Sequence, residues 1–348
     1  MKHLSIIIPM YNVESYIERC LRSLENQDIP KEDYEIICIN DGSPDDSRGV
    51  VIRIQDEYDN IILIDQVNQG VSLARNKGID RATGKYILFI DPDDYVDPNS
   101  FSRILRTADE KQIQVCFLGF VILHKNGEID KIIIDDKNKG KVFPGTEAYF
   151  ISRGKGITDP DRMVGVLFDN KFINHYNLTY LPDVPYLEDG EFIARILCLA
   201  ERCIVDDEDF YFRTIRSGSA TNSRLFNSKS AINGFIKAAV NLRDFRNSMA
   251  LNPDQKEFMN QPVVKFIILS ISSTVRTNNI RMFFYVYSNL KANNFEDLDL
   301  RGCNPMYSKL GSIYNKSIFL LYLYLAVTFV SQRLRKGKSG SLTSNARE

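Results

Sequence analysis

Short apolar runs rich in β-branched residues recur along the N-terminal part of the chain, at Leu4 to Ile8, Tyr34 to Ile39, Ile61 to Asp65 and Tyr86 to Ile90. Segments with helical spacing separate them, and that alternation predicts parallel strands joined by crossover helices. Strands covered on both faces read as continuous apolar stretches, as these do. The first helix has the sharpest pattern: Tyr16, Ile17, Cys20, Leu21 and Leu24 share one face, Glu14, Glu18, Arg19 and Arg22 lie off it, and Asn12 is placed to cap it. Weaker patterns of the same kind cover Ser47 to Tyr58 and Val71 to Arg81.

After residue 98 the pattern changes. Val115 to Lys125 and Glu128 to Ile134 flank Asn126-Gly127, a two-residue hairpin signal, so this part is α+β. A helix over Asp189 to Ala200 and a strand over Phe210 to Thr214 follow, and from Ser228 the chain reads as helices. The expected organisation is an α/β domain over residues 1–225 with parts at 1–98 and 99–225, a helical region over 226–335 and a disordered tail over 336–348. Ile318 to Val330 is apolar apart from Thr328 and is followed by Arg333, Arg335, Lys336 and Lys338. A bilayer span wants about 20 apolar residues, so two readings stand. One is a buried helix completing a core. The other is a helix in the membrane interface, a peripheral contact through residues 318–338.

Composition narrows the classes. With 348 residues, 44% of them hydrophobic, the chain can bury a large core. Its 44 Lys+Arg against 45 Asp+Glu give a formal charge of −1, which argues against nucleic acid as a partner. The six cysteines show no paired metal-ligand spacing and read as reduced buried thiols. Met1 and Lys2 lead straight into a strand without a leader-like apolar stretch, so the expected location is cytoplasmic. With an interfacial helix, it would be the inner face of the cytoplasmic membrane.

In open parallel sheets, ligands gather at the carboxyl ends of the strands. Here those ends carry Pro9-Met10-Tyr11-Asn12, Asn40-Asp41-Gly42-Ser43, the approach to Asn68-Gln69-Gly70, and Asp91-Pro92-Asp93-Asp94. Three carboxylates within four residues repel one another unless a cation compensates, and Mg²⁺ or Mn²⁺ with its preference for oxygen is the natural one. Asp91 and Asp93 would divide ribose and metal between them. The plain alternative is a turn at Asp91, with Asp94 or Asp97 capping the helix that contains Phe101.

Asp41, ahead of Gly42, can accept the N–H of a uracil, with Tyr11 offering an aromatic face; a turn and a helix cap from Ser43, Asp45 or Asp46 is the alternative. Arg75 is suited to a diphosphate, or else to a surface ion pair. Glu188, Asp189 and Glu191 open an amphipathic helix, where acids are favourable as caps. Asp189 is also the candidate for removing a proton from an acceptor hydroxyl.

In order and spacing over residues 4–220, these motifs resemble the family 2 glycosyltransferases: Ser5 to Asn12, Ile39 to Ser47, Asn68-Gln69-Gly70 to Ala74-Arg75-Asn76, Ala82 to Tyr86, the aspartate cluster, and Glu188-Asp189. The resemblance implies a GT-A fold, a Rossmann-like mixed sheet flanked by helices, here with a C-terminal helical extension. It implies inverting transfer from a nucleotide-diphosphate sugar, usually a UDP-sugar, to a hydroxyl of a glycan or lipid-linked oligosaccharide in surface polysaccharide assembly. Residues 1–98 would then be the nucleotide-sugar-binding part and 99–225 the acceptor side. Pro9, Tyr11 and Asp41 would hold the nucleobase region, with Asn12, Gly70 and Arg75 also on the donor. Asp91 and Asp93 would serve ribose and a divalent metal, Mn²⁺ or Mg²⁺, and Asp189 would be the general base. Tyr211 to Ser219 is similar to a segment that follows the base helix in this family, which implies diphosphate contact by Arg216 or Ser219. Met163 to Phe168 departs from a common family form, which has an aromatic and a lysine there.

Two other enzyme classes fit less well. Haloacid-dehalogenase-like phosphatases also place aspartates one residue apart after a strand, but Tyr95 stands where they usually carry Thr or Val. A dinucleotide-binding dehydrogenase needs a glycine fingerprint where Pro9 to Asn12 lies. A GT-A-like module that binds nucleotide-sugar or glycan without turnover is the non-enzymatic alternative.

Overall fold

A computed structural model describes residues 2–124, 126–153, 161–215 and 224–344. The chain divides into two compact units, Met1–Ser219 and Ala220–Glu348.

The first unit is built on one mixed sheet. Its strands are β1 (Leu4–Met10), β2 (Tyr34–Asp41), β3 (Ile61–Gln66), β4 (Tyr86–Phe89), β5 (Tyr95–Val96), β6 (Val115–Leu123), β7 (Ile129–Lys131), β8 (Val166–Asp169) and β9 (Cys203–Thr214). The order is β3-β2-β1-β4-β8-β6-β9-β5, with β7 on β6. The four strands expected from the apolar runs are parallel and adjacent. β1 and β2 are buried along their whole length, which is why they carry no polar alternation. β8 then joins antiparallel to both β4 and β6. It takes up Val166 to Phe168 of the Met163 to Phe168 segment, whose residues other than Gly165 are buried hydrophobics.

The hairpin is present but shorter than expected, β6 and β7 meeting at Leu123 and Ile129, with Asn126 Oδ1 accepting from the Glu128 amide at 3.1 Å. β9 is longer than the expected Phe210 to Thr214 because its first half also pairs with β6, through a register shift at Gly119.

The sheet is flanked by α1 (Glu14–Glu25), α2 (Ser47–Gln55), α3 (Val71–Arg81), α4 (Phe101–Glu110), α5 (Gly145–Ile151), α6 (Asn170–His175) and α7 (Glu188–Leu199). On α1 the buried face is Ile17, Cys20, Leu21 and Leu24, with Tyr16 partly covered. Its cap differs from the sequence expectation. Asn12 takes a left-handed backbone (φ 55°) and does not cap; the amides of Val13, at the N-cap position, and of Glu14 donate to Ser47 Oγ and Asp45 Oδ2, at 2.9 and 2.8 Å. Likewise neither Asp94 nor Asp97 caps α4; Asp28 Oδ1 accepts from the Ser102 amide at 2.9 Å. In both helices the orphan amides are met by side chains from another segment.

The second unit is helical: α8 (Lys229–Ser248), α9 (Pro253–Phe258), α10 (Asn260–Arg276), α11 (Ile280–Ala292), α12 (Pro305–Lys316) and α13 (Ile318–Ser344). Asn and Ser start four of them, Ser228, Asn252, Asn279 and Asn304 each accepting an amide of the first turn. α10 is apolar nearly all round and forms the centre, with α8, α11, α12 and α13 against it. The stretch Pro253–Arg276 is long and apolar enough to cross a membrane, yet 89% of its apolar window is buried inside the protein. α13 runs on past residue 336, through positions that the sequence reads as a tail, to Ser344.

Candidate active site

The register of β1 on β2 sets Met10 opposite Asn40, so Tyr11 and Asp41 leave neighbouring strands side by side. Pro9 is buried within β1, whereas Tyr11 is 51% exposed at its end. Asp41 is buried. Its Oδ1 accepts from Gln66 Nε2 and the Gln69 amide, both at 2.8 Å, and its Oδ2 accepts from the Gly70 amide at 2.9 Å. The carboxylate thereby builds the loop between β3 and α3, with acceptor capacity remaining on Oδ2. Gly70 there has φ 88°, a conformation that favours glycine. Gly42 meets a related need: at φ 66°, an added Cβ would lie 2.9 Å from the Asn68 amide nitrogen. The close approach Gly42 permits is that of the chain's own backbone.

The carboxylate oxygens of Asp91, Asp93 and Asp94 can lie within 4.8 Å of one another. Asp94 turns inward, accepting the Tyr211 hydroxyl on Oδ2 at 2.6 Å and the Thr214 amide on Oδ1 at 2.7 Å. Burial, then repulsion from Asp91 and Asp93, pushes its carboxyl up to about 8. Tyr211 also accepts from the Asp91 amide at 3.2 Å. Arg19 holds the loop from outside, donating to the Asp93 carbonyl at 2.7 Å and Thr214 Oγ1 at 2.9 Å, with its guanidinium over the Tyr95 ring. The Asp91-to-Asp94 turn itself is present, the Asp94 amide donating to the Asp91 carbonyl. The donor set fits a hard divalent cation: it is all carboxylate oxygen, and the repulsion that raises Asp94 is what a cation relieves. With Asp94 committed inward, Asp91 and Asp93 are the candidate ligands.

Arg75, on α3, is only 4% exposed. Its Nη1 donates to Glu188 Oε1 and Asp189 Oδ1, both at 2.8 Å, and its Nη2 lies 3.4 Å from Asp91 Oδ1. Burial alone would lower its pKa; the neighbouring charges, Asp189 first, outweigh that and raise it. The bland reading of Arg75 as a surface ion pair is thus replaced by a buried one. Leu187, the residue before Glu188, sits in the left-handed region (φ 57°, ψ 27°) and gives no side-chain cap, so α7 begins on a strained residue beside this cluster.

Tyr180 backs the guanidinium, its ring 5.1 Å from Arg75 Cζ and stacked on Phe192. Asn76 fixes that segment by exchanging two hydrogen bonds with the Tyr180 backbone.

Residues 5–158, somewhat less than half of the chain, match the family model described as glycosyl transferase family 2. That segment is a family 2 glycosyltransferase domain. The matched segment holds Asp41, Arg75 and the aspartate cluster but stops short of Asp189. Among curated relatives, a poly(ribitol-phosphate) beta-glucosyltransferase of Bacillus spizizenii is 31% identical over 62% of the chain and 33% of that protein. The uncharacterized glycosyltransferase EpsJ of Bacillus subtilis is 32% identical over 62% of each. The chain thus spans between a third and two thirds of these relatives. Residues 1–349 of S. aureus TarS, solved in complex with UDP-GlcNAc, share the fold with a TM-score of 0.69 at 19% identity, over 95% of this chain and 92% of that one. The fold is GT-A-like, with a mixed sheet, flanking helices and a helical C-terminal region.

Of the expected site residues, the first unit brings Arg75, Asp91 and Asp189 into one hydrogen-bonded group, and sets Pro9, Tyr11, Asn12 and Asp41 at the ends of β1 and β2, with Gly70 held on Asp41 from the loop before α3. Arg216 and Ser219 lie outside the described residues. Sequence reasoning missed Arg19, Tyr180 and Tyr211 as supports of the site. Tyr211 alone left a signal, as part of the Tyr211 to Ser219 motif.

Proposed function

We propose that this chain transfers a sugar, with inversion, from a UDP-sugar to a hydroxyl of a glycan or lipid-linked oligosaccharide in surface polysaccharide assembly. The observation that carries the proposal is the single buried guanidinium of Arg75 joining Asp91, on the acidic loop, to Asp189 at the start of α7. It sets a candidate proton acceptor beside a donor-side group, and an inverting displacement needs both a base for the acceptor hydroxyl and a site that holds the leaving diphosphate. The UDP-GlcNAc bound by TarS and the poly(ribitol-phosphate) acceptor in the relative's name favour a UDP-sugar and a polymer of the cell surface.

In this reading Asp41 and Tyr11 hold the base, with Pro9, Asn12 and Gly70 shaping that end, and Asp91 takes the ribose side. Asp91 and Asp93 would hold Mn²⁺ or Mg²⁺. Such a cation, when bound, offsets negative charge developing on the departing diphosphate. Asp189 accepts the proton of the acceptor hydroxyl as its oxygen attacks the anomeric carbon from the face opposite the diphosphate. The C1–O bond to the diphosphate breaks and UDP leaves as an anion, so no acid is needed on the leaving side. Arg75 keeps Asp189 aimed until substrates arrive.

The test is a panel of nucleotide-sugars with Mn²⁺ or Mg²⁺ and surface-glycan acceptors, scored by nucleotide release. Acceptor-dependent release of UDP is expected. Donor binding without release from any of them would instead support the non-catalytic module.

A further inference from the structure

We propose that the exposed apolar stripe of α13 docks on a membrane surface rich in anionic lipid. The helix turns Ile318 and Leu321 inward, where they are buried and α10 and α12 pack against it. Phe319, Leu320, Leu323, Val327 and Val330 are instead 45–69% exposed. At helical spacing these five positions fall within an arc of roughly 100°. The stripe continues onto α11, where Phe284 is also exposed and its ring centroid lies 6.1 Å from that of Phe319. Contiguous exposed apolar surface of this kind marks an interaction site.

Charge selects the occupant. Between Gly302 and Ala346 there is no Asp or Glu, while Lys309, Lys316, Arg333, Arg335, Lys336 and Lys338 all fall there, in a chain whose formal net charge is −1. A cavity of about 310 Å³ opens beside the start of the stripe, and its lining sets Lys291 and Lys316 against the single carboxylate of Glu296. A second copy of the chain would bring the same cations against themselves. A surface of anionic headgroups over acyl chains satisfies both features, with the helix lying along it. The exposed stripe thus favours the interfacial reading of this helix over a core role for all its faces, and it stands independently of the catalytic proposal.

The test is co-sedimentation of the full chain with phosphatidylcholine vesicles, with and without phosphatidylglycerol, for the wild type, for L323E/V327E and for R335E/K336E. The wild type is expected to partition onto the phosphatidylglycerol vesicles and to be weakened by salt. L323E/V327E is expected to lose about tenfold or more in partitioning with an unchanged unfolding midpoint, and R335E/K336E to lose the preference for anionic vesicles. Equal partitioning of wild type and L323E/V327E overturns the proposal. So does absence of wild-type binding, or a concentration-dependent wild-type dimer that L323E/V327E dissolves, which would give the stripe to a second copy.

Discussion

Arg75 Nη1 sits 2.8 Å from Asp189 Oδ1, so the side chain expected to face a diphosphate and the one expected to take a proton share a hydrogen bond. Glu188 and Asp91 complete the ring of acids around that guanidinium. The two candidates are therefore parts of one electrostatic unit.

Asp189→Asn keeps the shape and hydrogen-bonding capacity of the side chain but removes its basicity. Transfer is expected to fall by about 10²–10⁴-fold, with UDP binding by calorimetry little changed. Near-normal transfer would remove Asp189 from the role of base.

Arg75→Ala leaves three carboxylates around an unfilled buried space. A loss of about 3–5 kcal/mol in unfolding free energy by urea titration is expected, together with loss of transfer. A variant as stable as the wild type would show that the ion pairs contribute no net stability.

Chelation is expected to stop acceptor-dependent UDP release, and added Mn²⁺ or Mg²⁺ to restore it. Asp93→Asn should abolish the metal-dependent part, since it removes one of the two anionic ligands that Asp94's inward turn leaves. Restoration of that variant to wild-type rates at ordinary metal concentrations would exclude Asp93 as a ligand.

Tyr211→Phe removes the hydroxyl that donates to Asp94 and accepts from the Asp91 amide. A stability loss of about 1–3 kcal/mol is expected, and weaker metal dependence with it, because the loop carrying Asp91 and Asp93 loses its anchor. The measurements are a urea midpoint and a metal titration of UDP release.

Burial pushes the Cys116 and Cys198 thiols up to about 12 and that of Cys303 up to about 11, and raises Cys20, Cys38 and Cys203 as well. A raised thiol becomes thiolate only as pH climbs towards that value, so little nucleophile exists near pH 7. A disulfide-exchange reagent at neutral pH is expected to titrate the native protein slowly and all six cysteines after denaturation. Rapid labelling of the native protein would contradict the burial.

The sequence by itself determined the four parallel strands and the polar groups that gather at their ends. Apolar runs such as Leu4 to Ile8 are continuous because both faces of the sheet are covered, and the polar residues that end them stand out by contrast. Periodicity carries that much because it is local. The tertiary structure decided what each polar residue does. Arg75 and Asp189 are 114 residues apart, and Asp94 and Tyr211 are 117 apart, so nothing in their spacing could pair them. The first cap was misread for the same reason: Asn12 is adjacent to α1, yet Asp45 and Ser47 arrive from after β2 to take its amides. An acidic cluster that reads from sequence as a turn, a cap or a metal site was divided by packing, which drew Asp94 inward to Tyr211 and left Asp91 and Asp93 at the site. Hydrogen bonds go to whichever partner the fold brings within reach, and only the assembled sheet sets that distance.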